Sequence, residues 1–199
     1  AAAMCRGALE ALDARVVSGL VVTKHGHGDA GLAADRRLRC LEASHPLPDA
    51  SSLAAGRALL EFVEASPPGL RYLFLLSGGA SALVEALPAG VSADHLRRLN
   101  EWLLASGLDI HQMNRLRKAV SCIKGGRLAA RLRGHDTTVL ALSDVPGSDL
   151  SSLVSGPLVR HGAGALRMDA GLPGWVREIA ARAPPLAPEA AFRRIRHQV

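Results

Sequence analysis

An apolar run that passes through two glycines into a helical segment constrains the fold of this 199-residue chain more than any other feature. The run Tyr72–Leu76 has the pattern of a buried strand, and Ser77, Gly78 and Gly79 follow it as a tight turn before a predicted helix over Ser81–Leu87. The first backbone N–H groups of such a helix have no partner within the helix, and glycine lets a phosphate approach the main chain. The unit therefore predicts an anion site in an α/β protein, with glycines that only relieve a tight turn as the alternative.

Strand-like and helix-like segments alternate along the chain. Apolar runs predict further strands over Gly19–Thr23, Leu38–Ala43 and Thr137–Leu142, and helix patterns lie between them. This alternation predicts an α/β fold with a parallel sheet that is covered on both faces. Because ligands bind beyond the carboxyl ends of such strands, Ser77 and Asp144 are expected to face the same rim of the sheet.

Composition excludes several classes of protein. Hydrophobic residues make up 48% of the chain, enough for a core, yet no apolar stretch approaches the ~20 residues of a membrane span, and no signal peptide is seen. The formal charge is +6, but aromatic residues are only 3% and no basic run alternates with rings, so nucleic acid is not an expected partner. Three widely spaced cysteines predict neither disulfides nor a zinc site, which suits the cytoplasm.

Two motifs point to other chemistries. The segment Gly26–Gly31 matches G-x-G-x-x-G after a strand, but the next strand begins near Leu38 and leaves no room for the crossover helix of a dinucleotide site, which favours a mobile loop. Gly79-Ala80-Ser81 approaches a hydrolase nucleophile elbow but lacks the second glycine, although Asp144 and His161 could complete a triad.

A second and a third polar cluster lie downstream. Lys124 precedes Gly125 and Gly126 at a predicted helix start, where a cation is unfavourable unless an anion is present. Asp144 precedes a Val-Pro-Gly turn, where it could bind Mg²⁺ or accept a proton from an attacking hydroxyl, or only cap the turn. Phosphate chemistry is the leading interpretation of the three clusters together.

In their order along the chain these segments resemble the two-domain glycerate kinases, specifically the N-terminal domain that precedes a smaller domain called MOFRL. The resemblance rests on several blocks: Gly19–Gly26, His45–Asp49, Ser77–Leu83, Ser106-Gly107, Asn114, Arg117-Lys118, Ser121, Lys124–Gly126, Ser143–Gly147 and Ser155–Pro157. Residues 1–199 would then be the N-terminal domain, and the MOFRL domain would lie beyond this sequence.

The resemblance implies a Rossmann-like three-layer α/β/α sandwich and an ATP- and Mg²⁺-dependent kinase that phosphorylates D-glycerate to 2-phosphoglycerate in a cleft between two domains. It assigns catalysis to Asp144 and Lys124, with Asp144 also holding the metal. Substrate or phosphate would be bound by Ser77, Gly78, Gly79, Ser81, Asn114, Arg117, Lys118, Gly125 and Gly126. A homodimer stays open, and residues 1–199 alone would carry one wall of the cleft and no kinase activity.

The chain departs from the family pattern at several positions. Ala80 stands where a third glycine is usual, Ala119 where many members have histidine, and Ser148 where an acid is usual, and Leu158 follows Ser155–Pro157 where threonine is common. The lysine of the family's Gly-Lys-Ala segment would fall just before the first residue. Two other functions stay open: a hydroxypyruvate reductase that uses a nicotinamide cofactor, and a sugar-acid binding protein without catalysis.

Overall fold

The computed structural model describes residues 1–132, 134–142, 156–161 and 171–198, so that Asp144 and its turn lie outside the described part. The helices are α1 (Ala2–Leu12), α2 (Ala30–Ala34), α3 (Ala50–Glu64), α4 (Ala80–Leu83), α5 (Ala93–Ala105), α6 (Ile110–Ala119) and α7 (Gly174–Arg182). The strands are β1 (Gly19–Lys24), β2 (Leu38–Ala43), β3 (Tyr72–Leu76), β4 (Thr137–Ala141) and β5 (Ile195–Gln198). Short 3-10 turns cover Asp13–Arg15, Arg127–Ala130 and Glu189–Phe192.

Every strand pairing among the described residues is parallel, as the alternation of elements predicts. β1 pairs with β2, with Gly19 opposite Leu38. β4 lies between β3 and β5, with Thr137 opposite Tyr72 on one side and Ile195 on the other. The described strands form a two-stranded sheet and a three-stranded sheet, not the single sheet expected from the sequence.

Helices cover both faces of the β1–β2 pair, which creates three layers. On one face, Val22 and Leu41 pack against Leu83 of α4 and the small residues of α3. On the opposite face, Val21 borders a cavity together with Leu32 of α2. This is the α/β/α layering of the predicted fold.

Two further apolar clusters hold the rest of the chain. The larger one joins α3 to the three-stranded sheet through Val63, Val139 and Leu128. The other joins α5, α6 and α7, where Trp102 and Trp175 meet edge to face with ring centroids 6.4 Å apart. The α5–α7 cluster therefore forms a small helical unit with its own core.

Side-chain caps set where α3, α5 and α6 begin. Asp49 caps α3 and Ser92 caps α5, and both take part in reciprocal capping boxes. Hydrogen bonds from Ser51 hold the pKa of Asp49 below its ordinary value. Asp109 caps α6 in the same way by accepting from the backbone N–H of Gln112.

Residues 26–29 form a loop, as the sequence predicts, but the connection to β2 also contains a short helix that was not expected. Asp29 accepts a hydrogen bond at 3.1 Å from the backbone N–H of Leu32 and thereby caps α2, a five-residue helix between the parallel strands β1 and β2. A short helix with a side-chain cap at its start is therefore enough to connect these two parallel strands.

The two helices predicted near the candidate site are shorter than expected. The helix predicted over Ser81–Leu87 ends at Leu83, because the backbone N–H of Glu85 donates to the carbonyl of Ser52 at 3.1 Å. The helix predicted after Gly126 is only the 3-10 turn Arg127–Ala130. Within the described residues, no helix combines the length and the hydropathy that crossing a membrane requires.

Candidate functional site

The turn after β3 depends on glycine at position 79. Gly79 has a φ of 80° and begins α4. A Cβ atom built on it would lie 2.7 Å from Nε2 of His45, which follows β2. Both the left-handed backbone and this close approach exclude larger residues. Since the segments after β2 and β3 touch, the two strands end at the same edge of the fold, where Ser77 and Ser81 lie half-buried.

A buried ion pair lies behind this turn. Nζ of Lys124 contacts Oε2 of Glu85, and the two side chains are only 3% and 2% exposed. The hydroxyl of Ser121 donates to Oε1 of Glu85 at 2.6 Å. That hydroxyl also accepts from the backbone N–H groups of Ile123 and Lys124 at 3.2 and 3.1 Å. The network ties the chain after α4 to the segment after α6.

The structure corrects the expectation that Lys124 needs a ligand anion. Its counter-charge is the carboxylate of Glu85, within the same chain. Burial explains this pairing, because an isolated ammonium group in an apolar interior is strongly unfavourable. Replacing Lys124 is therefore expected to destabilise the protein.

Arg117 lies near this pair and half-buried. Burial lowers the pKa of Arg117, and the neighbouring carboxylate of Glu85 opposes that shift. Nη1 of Arg117 donates to Oδ1 of Asn114 at 3.4 Å, one turn earlier in α6. Lys118 is 9% exposed, and its carbonyl accepts a hydrogen bond at 2.6 Å from Arg127. Of the predicted residues of α6, Arg117 therefore lies within electrostatic reach of the Glu85–Lys124 pair.

Gly125 and Gly126 are buried, and Gly126 has a clear packing role. Their φ angles are 62° and 79°. A Cβ on Gly126 would lie 2.6 Å from the carbonyl oxygen of Val159 and 2.9 Å from Cζ of Phe192. The backbone N–H of Gly126 donates to the carbonyl of Gly156 at 2.8 Å. Neighbouring protein atoms therefore require glycine at position 126, independently of any contact with a ligand.

Several predicted residues border one cavity of about 520 Å³. Ser77, Ser81 and Lys124 line it, together with Pro157. Asp144 lies outside the described residues, but Leu142, two positions earlier, donates its N–H to the carbonyl of Leu76 at 2.9 Å. The described part of the chain holds no group of three His, Cys, Asp or Glu side chains that could bind a metal ion.

Sequence reasoning missed Glu85 and the contact of His45 with Gly79. A signal for Glu85 was present, because it is the only charged residue between Arg71 and Asp94. A lone charge in an apolar segment indicates a buried partner. No local pattern predicts the contact of His45 with Gly79, because the two residues are distant in sequence.

Replacing Gly79 with alanine is expected to destabilise the fold by about 1–3 kcal/mol, through left-handed strain and displacement of the His45 ring. Gly107→Ala is the matched control, since Gly107 has a φ of 71° but open space around its Cβ position. Urea unfolding measures both changes. Combining His45→Ala with Gly79→Ala should recover part of the lost stability. Combining His45→Ala with Gly107→Ala should recover none. Equal losses for the two glycine variants, without recovery, would show that the histidine contact is unimportant.

The comparisons with known proteins agree with the resemblance inferred from the sequence. A family model described as "Domain of unknown function (DUF4147)" matches residues 1–168. A D-glycerate 2-kinase of Thermotoga maritima is 39% identical over 154 residues, which is 77% of this chain and 36% of the relative. A putative hydroxypyruvate reductase of Agrobacterium vitis is 41% identical over 145 residues, 73% of this chain and 37% of that protein. The chain thus spans about a third of the length of these curated relatives.

Solved structures support the fold. A crystal structure of a glycerate kinase from Thermotoga maritima has a TM-score of 0.76 at 31% identity. The match covers 98% of this chain and 47% of the glycerate kinase chain. A Pyrococcus horikoshii protein has a TM-score of 0.79 at 29% identity, covering 98% of this chain and 46% of that one. The predicted α/β fold and the resemblance to the glycerate kinases are confirmed. Because the family model spans most of its length, this chain belongs to the DUF4147 family.

Proposed function

We propose that this chain forms one wall of the active site of a glycerate kinase, which transfers the γ-phosphoryl group of ATP to D-glycerate and yields 2-phosphoglycerate. The observation that carries the proposal is the shared cavity of Ser77, Ser81 and Lys124, at the end of a parallel strand. Relatives named glycerate 2-kinase are 37–39% identical to this chain over more than three quarters of its length. The opposite wall would come from the remainder of a protein with the relatives' length.

The charges near Glu85 favour an anionic ligand. Among the residues that the structure describes, Lys124 and Arg117 both lie near Glu85, and this one carboxylate balances only one of the two cations. In a partly buried site an excess positive charge attracts phosphate or carboxylate groups more strongly than at a surface. Phosphoryl transfer relies mainly on such positioning and charge neutralisation.

We propose Asp144 as the catalytic carboxylate and as the residue that would hold Mg²⁺. Leu142 is bonded to Leu76 at the end of β3, so the segment that follows β4 begins one strand away from Ser77. Mg²⁺ is usually bound by one or two carboxylates and the substrate phosphates, so a single protein ligand fits this ion. When bound, the metal would neutralise charge on the phosphate oxygens. A cytoplasmic location and a homodimer stay predictions.

A nicotinamide-dependent hydroxypyruvate reductase is the second candidate, because a relative has that name. The G-x-G-x-x-G segment argues against it. The backbone N–H groups of Gly26 and Gly28 both donate to the carboxylate of Glu42, each at 2.9 Å. A pyrophosphate at these groups would meet a negative charge that already occupies them.

Two assays on the full-length protein test the proposal. One follows ATP consumption with D-glycerate, and the other follows NADH oxidation with hydroxypyruvate. The kinase proposal requires turnover in the first assay alone. Turnover in the second assay alone would establish the reductase, and D-glycerate binding without turnover in either would indicate a sugar-acid binding protein.

In the full-length protein, Asp144→Asn is expected to lower kcat by about 10²–10⁴-fold, because the amide keeps the shape but cannot accept the hydroxyl proton. The melting temperature, measured alongside, should stay near that of the parent protein. Asp136→Asn is the control, since Asp136 is exposed at the opposite end of β4. A kcat for Asp144→Asn close to that of Asp136→Asn would contradict the assignment.

A further inference from the structure

A second cavity, of about 470 Å³, lies beside the β1–β2 pair on the face that α2 covers. Its size falls within the range of about 300–1,000 Å³ that is usual for small-molecule sites. Its walls are mostly apolar and include Val21 of β1, Leu32 of α2 and Cys40 of β2. The site residues predicted from the sequence do not line this cavity, so its role is still open.

Thr23 directs a buried hydroxyl group into this cavity. Val21 and Thr23 are the two buried residues of β1, and alternate residues of a strand face the same side, so both side chains line the cavity. Thr23 is only 8% exposed. None of the side-chain hydrogen bonds formed among the described residues involves its hydroxyl. Because buried polar groups normally have a hydrogen-bond partner, this hydroxyl indicates a ligand that bonds to it.

Two carboxylates line the mouth of the cavity. Glu42, near the end of β2, accepts hydrogen bonds from the backbone N–H groups of Gly26 and Gly28, each at 2.9 Å. Asp29 pairs with Arg6, which does not line the cavity. Within the described part of the chain, no lysine, arginine or histidine lines it. The cavity therefore disfavours an anionic group and favours hydroxyl donors, because each oxygen of Glu42 can accept a second hydrogen bond.

This combination of groups matches a nucleoside. A purine base presents flat apolar faces to the walls and hydrogen-bonding atoms to Thr23, and a ribose presents hydroxyl donors to Glu42. In nucleotide-binding α/β folds, an acidic residue commonly accepts a hydrogen bond from a ribose hydroxyl in this way. The backbone N–H groups that could hold a pyrophosphate are already bonded to Glu42, so the phosphates of a nucleotide must lie outside the cavity.

We propose that this cavity binds the adenosine moiety of a nucleotide, with the base beside Val21, Leu32 and Thr23 and the ribose at Glu42. The phosphates would leave the cavity at the carboxyl ends of β1 and β2, the edge of the fold where Ser77 lies. That the nucleotide is ATP rests on the proposed kinase function, since the adenosine of NADH has the same chemistry.

Protection of Cys40 from alkylation by N-ethylmaleimide tests the site in the full-length protein, with each cysteine followed by peptide mass analysis. With AMP at about ten times its dissociation constant, Cys40 should react about tenfold more slowly, because the free fraction of the protein falls by that ratio. Cys122, which does not line the cavity, is the internal control and should react at the same rate with and without AMP.

Tripolyphosphate and D-glycerate lack a nucleoside and should leave Cys40 unprotected. If saturating AMP does not slow the alkylation of Cys40, or if tripolyphosphate slows it equally, the adenosine assignment is overturned.

Thr23→Val provides a second test that does not depend on the reactivity of Cys40. The variant keeps a similar shape but removes the hydroxyl, so AMP should bind about tenfold more weakly, as expected for the loss of one hydrogen bond. Thr138→Val makes the same change on β4 and should leave the affinity unchanged. Isothermal titration calorimetry measures both variants. An affinity of Thr23→Val equal to that of the parent protein would overturn the proposal.

The results separate the adenosine site from the kinase function. Protection of Cys40 by AMP without turnover of ATP and D-glycerate would support the adenosine site and overturn the kinase proposal. Turnover of ATP and D-glycerate without protection of Cys40 would support the kinase proposal and overturn the adenosine site. Turnover of NADH and hydroxypyruvate with protection of Cys40 would support the adenosine site and identify the nucleotide as NADH.

Discussion

Replacing Lys124 with methionine is expected to lower the free energy of unfolding by about 3–5 kcal/mol, because it leaves the carboxylate of Glu85 buried without its counter-charge. Glu85 is 2% exposed, so water cannot take the place of the ammonium group without opening the core. Within the described part of the chain, the remaining donors, the Ser121 hydroxyl and the backbone N–H of Ala86, both reach Oε1 and leave Oε2 unsatisfied. Urea unfolding of the parent and variant proteins measures the loss.

The matched control is Arg131→Met, which removes an ion pair with Glu64 whose side chains are 51% and 56% exposed. Exposed pairs contribute about 0–1 kcal/mol, so this variant should change stability little. Combining Lys124→Met with Glu85→Gln removes both charges and should recover part of the lost stability, because the effects of substitutions at two coupled residues are not additive. If Lys124→Met lowers the free energy of unfolding no more than Arg131→Met does, the Lys124–Glu85 ion pair is not formed in solution.

Gly56→Ala is expected to destabilise the protein by about 3 kcal/mol or more, because the added methyl group overlaps the main chain. A Cβ atom on Gly56 would collide with the carbonyl group of Glu85 and lie 3.1 Å from the nitrogen of Ala86. Backbone atoms cannot rotate away as a side chain can, so α3 must move from the segment after α4. Chemical denaturation measures the change, and the Glu85–Lys124 pair should loosen with it.

Gly7→Ala supplies the control in another helix. Gly7 lies within α1 and has no atom within 4 Å of its Cβ position. Alanine is the better helix former, so this variant should gain about 0.5–1 kcal/mol. Similar gains at both positions would show that α3 does not approach Glu85 as closely as the structure has it.

Local patterns accounted for most of the elements. The strands over Gly19–Lys24, Leu38–Ala43 and Tyr72–Leu76 were predictable because apolar runs between turn residues leave few other structures. The start of α3 was predictable because Asp49 is a side-chain cap beside its own helix. The helix predicted past Leu83 failed because its backbone groups bond instead to Ser52 and Cys122, which are distant in sequence.

The candidate site could be predicted only as a set of segments. Ser77, Ser81 and Lys124 were named from sequence and do line one cavity. Their functional roles, with those of Asp144 and the other predicted residues, stay predictions. The partner of Lys124 was not predictable from the helix start alone, because Glu85 lies 39 residues earlier.

By itself, the sequence determined what depends on neighbouring residues: the α/β alternation, the strand–turn–helix unit at Ser77–Gly79 and the motif order that indicates the family. Only the tertiary structure decided which charges meet, which glycines face protein atoms and where the sheet is interrupted. The physical reason is the distance along the chain over which each interaction acts. Caps, turns and periodicity act over about four residues, whereas burial of Lys124 with Glu85 and the approach of Gly56 depend on how α3, α4 and α6 pack. The division of the described strands into two sheets follows from strand order, which no local pattern contains.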